Sequence, residues 1–490
     1  MLSEVKIPYT FAKRHGVLVK AYENDEAIVV HRDNLTSSII LELQRVLPLP
    51  CHFQSVTIEE FDNLLTQFYQ DDTSAKEALA EFDSDFDLNQ LVHELPRTED
   101  LLESQDDAPI IRLLNAIFTQ AIKQHASDIH IESYEEKVII RFRMDGVLQE
   151  IVTLARALAP LIISRIKVMA RLDISEKRIP QDGRMNLRIA GHSIDVRVST
   201  LPANHGERLV LRLLDKKVTR LDLSSLGMAA DGLSIIQKLI AQPHGLILVT
   251  GPTGSGKTTS LYAMLSSLNH VSRNILTVED PIEFDLVGIG QTQVNTKIDM
   301  SFARGLRAIL RQDPDVIMVG EIRDLETAEI SVQASLTGHL VLSTLHTNTA
   351  IGAITRLRDM GVAPFLLASS LIGVIAQRLV RLLCIHCKKP REITAIERDL
   401  LNTPKKGVIQ IFEPQACEQC LFTGYQGRMG IYELIPIDKE LQNMIHNDAS
   451  EQTMDAYART KTINIVQDGF RQVLNGVTTI AEVLRVASEI

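Results

Sequence analysis

Residues 246–259 read LILVTGPTGSGKTT. Gly251-Pro252-Thr253-Gly254-Ser255-Gly256-Lys257-Thr258 is a complete G-x-x-x-x-G-K-[ST] run, with a strand-like apolar stretch before it and the helix-like SLYAMLSSL after Thr259. Such spacing serves phosphate binding. Small residues let successive backbone N–H groups turn inward onto phosphate oxygens, and a helix beginning near Lys257 adds its unpaired N-terminal donors. Lys257 is suited to the β- and γ-phosphates and the Thr258 hydroxyl to Mg²⁺, while Thr259 completes the candidate cradle. A glycine-rich turn without this task matches part of such a pattern. The whole pattern, in a strand-to-helix setting, implies a nucleoside triphosphate.

Hydrolysis of that ligand needs a metal organiser and a group that positions water. Glu321 follows the strand-like Val316–Val319 and Gly320, where a Walker B carboxylate belongs, and Gly320 is expected to leave room for nucleotide and water. Glu279 ends the neighbouring strand-like Ile275–Val278. Each, taken singly, could equally be a helix cap or a surface charge. Beside the phosphate loop, acidic residues at strand C-termini sit where α/β folds keep their chemistry. Arg197 and Arg212 lie within strand-like stretches and have two readings: structural ion pairing on a wet sheet face, or contact with the triphosphate at a domain or subunit interface. His339 and His346 are seven apart across the strand-like Leu340–Leu345, so they point to opposite faces and do not share a metal. His339 is the candidate γ-phosphate sensor, or a bridge to a neighbouring subunit.

Cys384-x-x-Cys387 and Cys417-x-x-Cys420 are two hooks that can close a tetrahedral Zn²⁺ site with no open position, hence a structural one. Disulfides and an iron–sulfur cluster fit the setting and spacing less well. Cys51 stands alone.

The elements that must position these groups fall in order along 490 residues. Residues 1–70 suggest a small α/β unit: a helix from Tyr9 to Val17, a strand Glu26–His31, a helix Asn34–Leu47, and a Thr57/Glu60 capping box before a last helix. Residues 71–107 hold 13 acidic residues against Lys76 and Arg97, so this strip accounts for the whole formal charge of −11. The neutral remainder offers no basic surplus for nucleic acid. From Ala108 a helix leads into strands around Ile129–Glu132 and Lys137–Met144, joined at Asp145-Gly146. A helix is expected over Leu154–Met169, then turns at Asp182-Gly183 and Ala190-Gly191 between strands ending at Leu214. The longest apolar run, Pro364–Ala376, reads as a buried helix too short to span a bilayer. The N-terminus lacks the pattern of a secretory signal, which predicts a cytoplasmic chain. Residues 439–490 are helix-like, with Thr478-Thr479 capping Ile480–Ser488.

These stretches together resemble the type II secretion ATPases, the GspE family within the larger superfamily of secretion and pilus ATPases, over essentially the full length. The resemblance rests on Gly251–Thr259, the Asp box around Thr277–Phe284, the atypical Walker B at Asp315–Asp324 and the His box at Leu336–Asn348. It also rests on Ser127–Ile131, Arg141–Leu148, Lys177–Arg184, Arg197–Asp215 and the cysteine hooks. It implies an α/β protein in which a RecA-like P-loop NTPase domain follows a PAS-like α+β middle domain and a small N-terminal α/β domain, with a tetracysteine zinc-binding subdomain. The implied boundaries are 1–70, an acidic linker 71–107, 108–214, a linker 215–230, 231–380, 381–435 and 436–490. ATP, Mg²⁺ and Zn²⁺ are the implied ligands, held in a homo-hexamer with ATP between the middle and C-terminal domains. The family's phosphate-contacting arginines fall on Arg197 and Arg212, with Arg307, Arg311 and Arg323 available from the C-terminal domain. The implied work is pseudopilus assembly for protein export across the outer membrane. The implied partners are GspL, through its cytoplasmic domain and residues 1–70, and GspF, giving peripheral attachment to the inner membrane and no role for nucleic acid. A type IV pilus extension ATPase shares every motif and is the alternative. A nucleic-acid translocase and a catalytically silent scaffold fit the charge pattern and the intact Lys257, Glu279 and Glu321 less well.

Overall fold

The computed structural model describes residues 15–23, 26–32, 37–47, 49–57, 108–189, 192–215, 222–404 and 407–487, with positions 7, 35, 60, 61 and 64. The acidic strip 71–107, the Ala190-Gly191 turn and most of the helix expected over Tyr9–Val17 lie outside these residues. The chain divides into two compact units, Met1–Ile117 and Phe118–Ile490.

The first unit holds β1 (Val17–Glu23), β2 (Glu26–His31), α1 (Ser37–Val46) and β3 (Cys51–Ser55). β2 is central, antiparallel to β1 and parallel to β3. Alternation along β2 sends Ala27 and Val29 to a core with Leu43 and Leu47, and Val30 to a second one with Leu18 and Phe61. The expected capping box forms: Glu60 N–H donates to Thr57 Oγ1 at 3.3 Å, and Thr57 N–H to Glu60 Oε2 at 3.3 Å.

Helix α2 (Ala108–Lys123) buries one face, including Leu113, Ile117, Phe118 and Ala121. The second unit continues with β4 (Asp128–Ser133), β5 (Lys137–Met144), β6 (Val147–Ala155), α3 (Ala159–Met169), β7 (Gln181–Ile189), β8 (His192–Ala203) and β9 (Gly206–Asp215). These strands form an antiparallel sheet in the order β6-β5-β4-β9-β8-β7. Asp145 (φ 49°) and Gly146 (φ 85°) make the expected hairpin turn. Two expectations need correction. Leu154 and Ala155 belong to β6, paired with Val138 and Lys137, and α3 starts only at Ala159, with Pro160 in its first turn. Asp182-Gly183 is not a turn but part of β7, paired with Ser199 and Val198. Gly183 is required there because a Cβ would lie 2.7 Å from the Ala170 carbonyl oxygen, so β7 runs against the end of α3.

The larger sheet is built from β10 (Gly245–Thr250), β11 (Ile275–Glu279), β12 (Gly290–Gln293), β13 (Val316–Val319), β14 (Leu340–Leu345), β15 (Leu371–Leu383) and β18 (Tyr425–Pro436). Its order is β12-β11-β13-β14-β10-β15-β18, parallel except for β18 against β15. The helices between are α4 (Ala230–Ile240), α5 (Lys257–Leu268), α6 (Phe302–Ile309), α7 (Leu325–Leu336), α8 (Ala350–Asp359) and α9 (Pro364–Ser370). They cover both faces, so all six residues of β10 are buried. Leu246 and Leu248 point into one core, Ile247 and Val249 into the other. Truncating any one of these to Ala would cost about 2–5 kcal/mol. The run Pro364–Ala376 is not one helix: α9 ends at Ser370 and β15 begins at once. A fully buried parallel strand and a buried helix present the same unbroken apolar run, so periodicity cannot separate them. Residues 222–227 are also more than a connection, since Leu223 and Leu226 are buried in the β10 core.

Between β15 and β18 the chain makes an excursion with β16 (Lys389–Glu392), α10 (Ala395–Leu400) and β17 (Gln410–Glu413). Helices α11 (Lys439–His446), α12 (Glu451–Ala458), α13 (Ile465–Leu474) and α14 (Ile480–Ala487) follow, the last with Glu482 N–H donating to Thr479 Oγ1 as the capping sequence implies. No helix among the described residues is long and apolar enough to cross a membrane.

Candidate nucleotide and metal sites

In a parallel sheet every strand delivers its C-terminal end to the same edge. Here Thr250 lies level with Leu345 and Ala376, and Val319 with Val278 and Ser343. Gly251, Glu279, Glu321 and His346 therefore emerge along one rim. Hydroxyls stitch it together. Thr250 Oγ1 accepts from Thr347 N–H at 2.9 Å, Thr344 Oγ1 donates to the Gly320 carbonyl at 2.7 Å, and Ser343 Oγ donates to Val319 at 2.8 Å.

The loop from Gly251 to Gly256 needs its glycines. Gly251, Gly254 and Gly256 have φ of 148°, 79° and 87°, and a Cβ on Gly251 would stand 2.5 Å from the Gln377 carbonyl oxygen. Gly256 is the N-cap of α5. Lys257 Nζ curls back to donate to the carbonyls of Gly251 (2.6 Å) and Pro252 (3.1 Å). Burial, with Arg378 nearby and opposed by Glu321, lowers its pKa to about 8. Ser255 Oγ is buried with no hydrogen-bond partner. A buried hydroxyl of that kind, inside a loop of convergent N–H groups beside an ammonium, fits a phosphate ligand. Thr258 is half-buried beside it; Pro252 is half-buried, and Thr253 and Thr259 are exposed.

Glu321 accepts from Arg323 and lies 3.4 Å from His346 Nε2. Burial and the Lys257 charge hold the His346 pKa below its ordinary value, against the pull of Glu321. His346 therefore joins the rim, although the sequence pattern singled out His339. His339 precedes β14, at the opposite end of the sheet, where its carbonyl accepts from Gly245 N–H at 3.1 Å and its Nδ1 contacts the Ala334 carbonyl at 2.9 Å. A strand of six residues, about 20 Å long, separates it from the loop of its own chain. The end of a strand at which a residue stands, not its distance in sequence from the motif, was the signal that favoured His346. Glu279 is buried and accepts from the Tyr262 hydroxyl, from Thr277 Oγ1 (2.5 Å) and from Gln291 Nε2 (3.0 Å). Gly320 also has a packing role. A Cβ there would approach the Val278 carbonyl oxygen to 3.3 Å and Glu279 Cα to 3.4 Å, so the glycine lets β13 close on β11.

The middle-domain arginines belong to a row no linear motif shows. Arg184, Arg197, Arg212, Asp128 and Arg143 are directly paired across β7, β8, β9, β4 and β5. Arg212 Nε donates to Asp128 at 3.2 Å, and Arg143 lies 3.6 Å from the same carboxylate. Arg197 donates to the Ile282 carbonyl at 3.3 Å and approaches Glu283 at 3.7 Å. Burial, with Arg184 and Arg212 alongside, lowers its pKa. Like charges opposite one another destabilise a sheet, and these three adjacent arginines, offset in part by Asp128 and Glu283, make a face suited to an anionic ligand. A cavity of about 400 Å³ is lined by Arg184, Arg197 and Arg212. Arg323 lies 3.8 Å from Asp280, Arg307 pairs with Glu326 at 2.5 Å, and Arg311 donates to the Arg307 carbonyl.

The four thiols of Cys384, Cys387, Cys417 and Cys420 lie within 4.8 Å of one another, with Sγ separations of 3.5–3.8 Å between neighbours. Four sulfurs at 2.3 Å from a tetrahedral Zn²⁺ would be about 3.8 Å apart. Gly424 N–H points at Cys420 Sγ (3.2 Å), the kind of second-layer donor a thiolate accepts. None of the four forms a disulfide; Cys51 is a free thiol whose pKa burial raises. The donor set fits Zn²⁺.

A phosphate loop on β10 and strand-end carboxylates on a parallel, two-sided sheet define a P-loop ATPase. The family described as Type II/IV secretion system protein matches residues 103–485, and a GSPII protein E domain family matches residues 6–69. This chain belongs to that secretion ATPase family, as a GspE member. It is 56% identical to Type II secretion system ATPase E of Vibrio cholerae over 99% of this chain and 97% of the relative. Type II secretion system protein HxcR of Pseudomonas aeruginosa is 50% identical over 99% of both chains. Among solved structures, the pilus retraction motor PilT with bound ADP matches with TM-score 0.52 and 28% identity, over 77% of this chain and 98% of PilT. The ATPase DotB of Legionella pneumophila shares the fold at TM-score 0.56 and 21% identity, over 78% of this chain and 95% of DotB.

Proposed function

We propose that this chain acts as a homo-hexamer in the cytoplasm, hydrolysing ATP to drive pseudopilus assembly and protein export across the outer membrane. The observation that carries this reading is the full-length likeness to type II secretion ATPases joined to a complete phosphate loop in one chain. Residues 251–259 cradle the phosphates, and Lys257 leaves its carbonyls for the β- and γ-oxygens. Thr258 and Glu321 would hold Mg²⁺, which neutralises charge on the phosphates. Glu279 and Glu321 orient the attacking water, and Arg197 and Arg212 meet the phosphates from the middle domain, within one subunit or across an interface. His339 lies far from this rim, which favours its other role, a bridge between subunits. Cys384, Cys387, Cys417 and Cys420 would hold one Zn²⁺ that fixes the excursion between β15 and β18.

The finer division into 1–70, 71–107, 108–214, 215–230, 231–380, 381–435 and 436–490 follows these tasks. Residues 1–70 dock on the cytoplasmic domain of a GspL-like protein, a GspF-like protein is the second contact, and the chain is held peripherally at the inner membrane. The acidic strip 71–107, which lies outside the described residues, links the docking residues to the ATPase in sequence. The test is co-purification with the cytoplasmic region of a GspL-like protein, followed by ATPase assay and membrane fractionation. Full-length protein should fractionate with membranes only when the partner is present, and a chain lacking residues 1–70 should not. Equal membrane recovery of both forms would place docking elsewhere.

A further inference from the structure

Two side chains grip the Glu279 carboxylate and, with the same atoms, the loop that follows it. The Tyr262 hydroxyl on α5 donates to Glu279 Oε2 and accepts from Glu283 N–H at 3.3 Å. Gln291 Nε2 on β12 donates to Glu279 Oε1 at 3.0 Å and to the Phe284 carbonyl at 3.0 Å, while its Oε1 accepts from Leu286 N–H at 2.7 Å. Residues 283–286 are therefore tied to the same two side chains as the carboxylate. That loop meets the middle domain, because Arg197 donates to the Ile282 carbonyl and lies 3.7 Å from Glu283. Tyr262 itself sits on the helix that Lys257 opens, five residues along. Its ring packs edge-on to Phe284 at 5.9 Å, so ring and hydroxyl act on the same loop.

Packing alone would be met by phenylalanine. The hydroxyl is needed only where a donor and an acceptor are both required, and here each has a named partner. Burial, reinforced by Glu279, raises the phenol pKa, so it stays a donor. We infer that Tyr262, seconded by Gln291, is a positioning residue that holds Glu279 in register with the phosphate-loop helix and couples it to Arg197 through residues 282–286. This rests on the reading of Glu279 and Arg197 as working groups. A shift of about 1 Å at a reacting group is enough to cost a hundredfold in rate.

The test uses full-length protein and steady-state ATPase kinetics. Tyr262→Phe keeps the ring and should lower kcat about ten- to a hundredfold with KM for MgATP changed less than about twofold. Its melting midpoint and metal content should match the parent. Arg197→Ala introduced into the Tyr262→Phe chain should cost less than it does in the parent, because the two losses share a path. Glu279→Gln separates this inference from the reading beneath it. If Glu279→Gln turns over like the parent, the site reading fails. If it is inactive while Tyr262→Phe keeps the parent kcat, only the positioning role fails. Multiplicative losses in the double variant would also overturn the coupling, as would a fall in kcat matched by a fall in melting midpoint. Should Tyr262→Phe not fold, Gln291→Leu takes its place with the same expected split, and an unchanged kcat there overturns the inference.

Discussion

The seven-stranded and six-stranded sheets of the larger unit place their charges in opposite ways. The parallel sheet around β10 is covered on both faces, so its buried strands are mainly apolar, and the groups of the nucleotide site stand at the strand ends. The antiparallel sheet of the middle domain has one buried face, with Ile129, Phe142, Val196 and Leu211, and one polar face that carries Asp128, Arg143, Arg197 and Arg212. In the first, functional groups stand at or just beyond strand C-termini, and the parallel order of the strands gathers them on one rim. In the second they come from the middle of strands, and only cross-strand register brings them together. Loss of a group at the rim should remove a step of the reaction. A lost group on the face should weaken a field to which several residues contribute.

The largest effect should therefore be at the rim. Lys257→Ala removes the ammonium beside the phosphate loop and is expected to lower kcat at least about a hundredfold, with an unchanged circular dichroism spectrum. Parent-level hydrolysis by that folded variant would break the comparison at its stronger half. Next comes the metal centre, which belongs to neither arrangement but anchors the strand pair β15/β18 at the edge of the first. Cys417→Ser should lose about one equivalent of Zn²⁺ by elemental analysis and lower the melting midpoint by about 5 °C or more. Full metal content in the variant would remove Cys417 from the donor set.

The face should give graded losses. Arg197→Ala and Arg212→Ala are each expected to cut turnover about ten- to a hundredfold, the range for removing a charge-assisted hydrogen bond. Arg143→Ala, on the far side of Asp128 in the same row, should cost less than about threefold. Equal losses at all three would mean the face acts only as a bulk positive field. Parent turnover in both Arg197→Ala and Arg212→Ala would return them to structural ion pairing.

What could be read in the sequence follows the same division. Gly251–Thr258, Glu279 and Glu321 were legible because a strand-end site is written contiguously: strand, turn, chemical residue. The cysteine hooks were legible for a similar reason, since each pair lies on one tight bend. The arginine row was half-visible. Arg197 and Arg212 stood out, but Arg184 and Arg143 gain meaning only from pairings across β7 to β5. Local tendency misled where the tertiary setting overrode it. Leu371–Leu383 is a strand because it fills the place beside β10, and the buried Gly373, whose Cβ would lie 2.6 Å from Leu239, allows α4 to pack on it. Nothing in the helix-like SLYAMLSSL marks Tyr262 for a role. Its task depends on a hydroxyl that meets Glu279 from across the sheet.

His346 should give the smallest effect, and its sign tests whether the rim works as one electrostatic unit. Its pKa is held below the ordinary histidine value, chiefly by burial and then by Lys257. A depressed histidine pKa means that the native arrangement favours the neutral ring. That contribution is intact above the ordinary value of about 6.5 and is lost as pH falls through it toward the folded value. Protonation would add a cation beside Lys257 and Arg323 that competes for Glu321, which lies 3.4 Å from His346 Nε2. ATPase activity should therefore decline on the acid side, below about pH 6.5. His346→Gln, which keeps a polar side chain but cannot titrate, should cost about threefold at pH 8 and show a shallower acid decline. The measurement is kcat/KM for MgATP from about pH 5.5 to 8 in both proteins. Parallel profiles would detach His346 from the rim, leaving Glu321 to respond only to Arg323 and Lys257. A steeper decline in the variant would reverse the sign and show that the protonated ring, not the neutral one, serves the site.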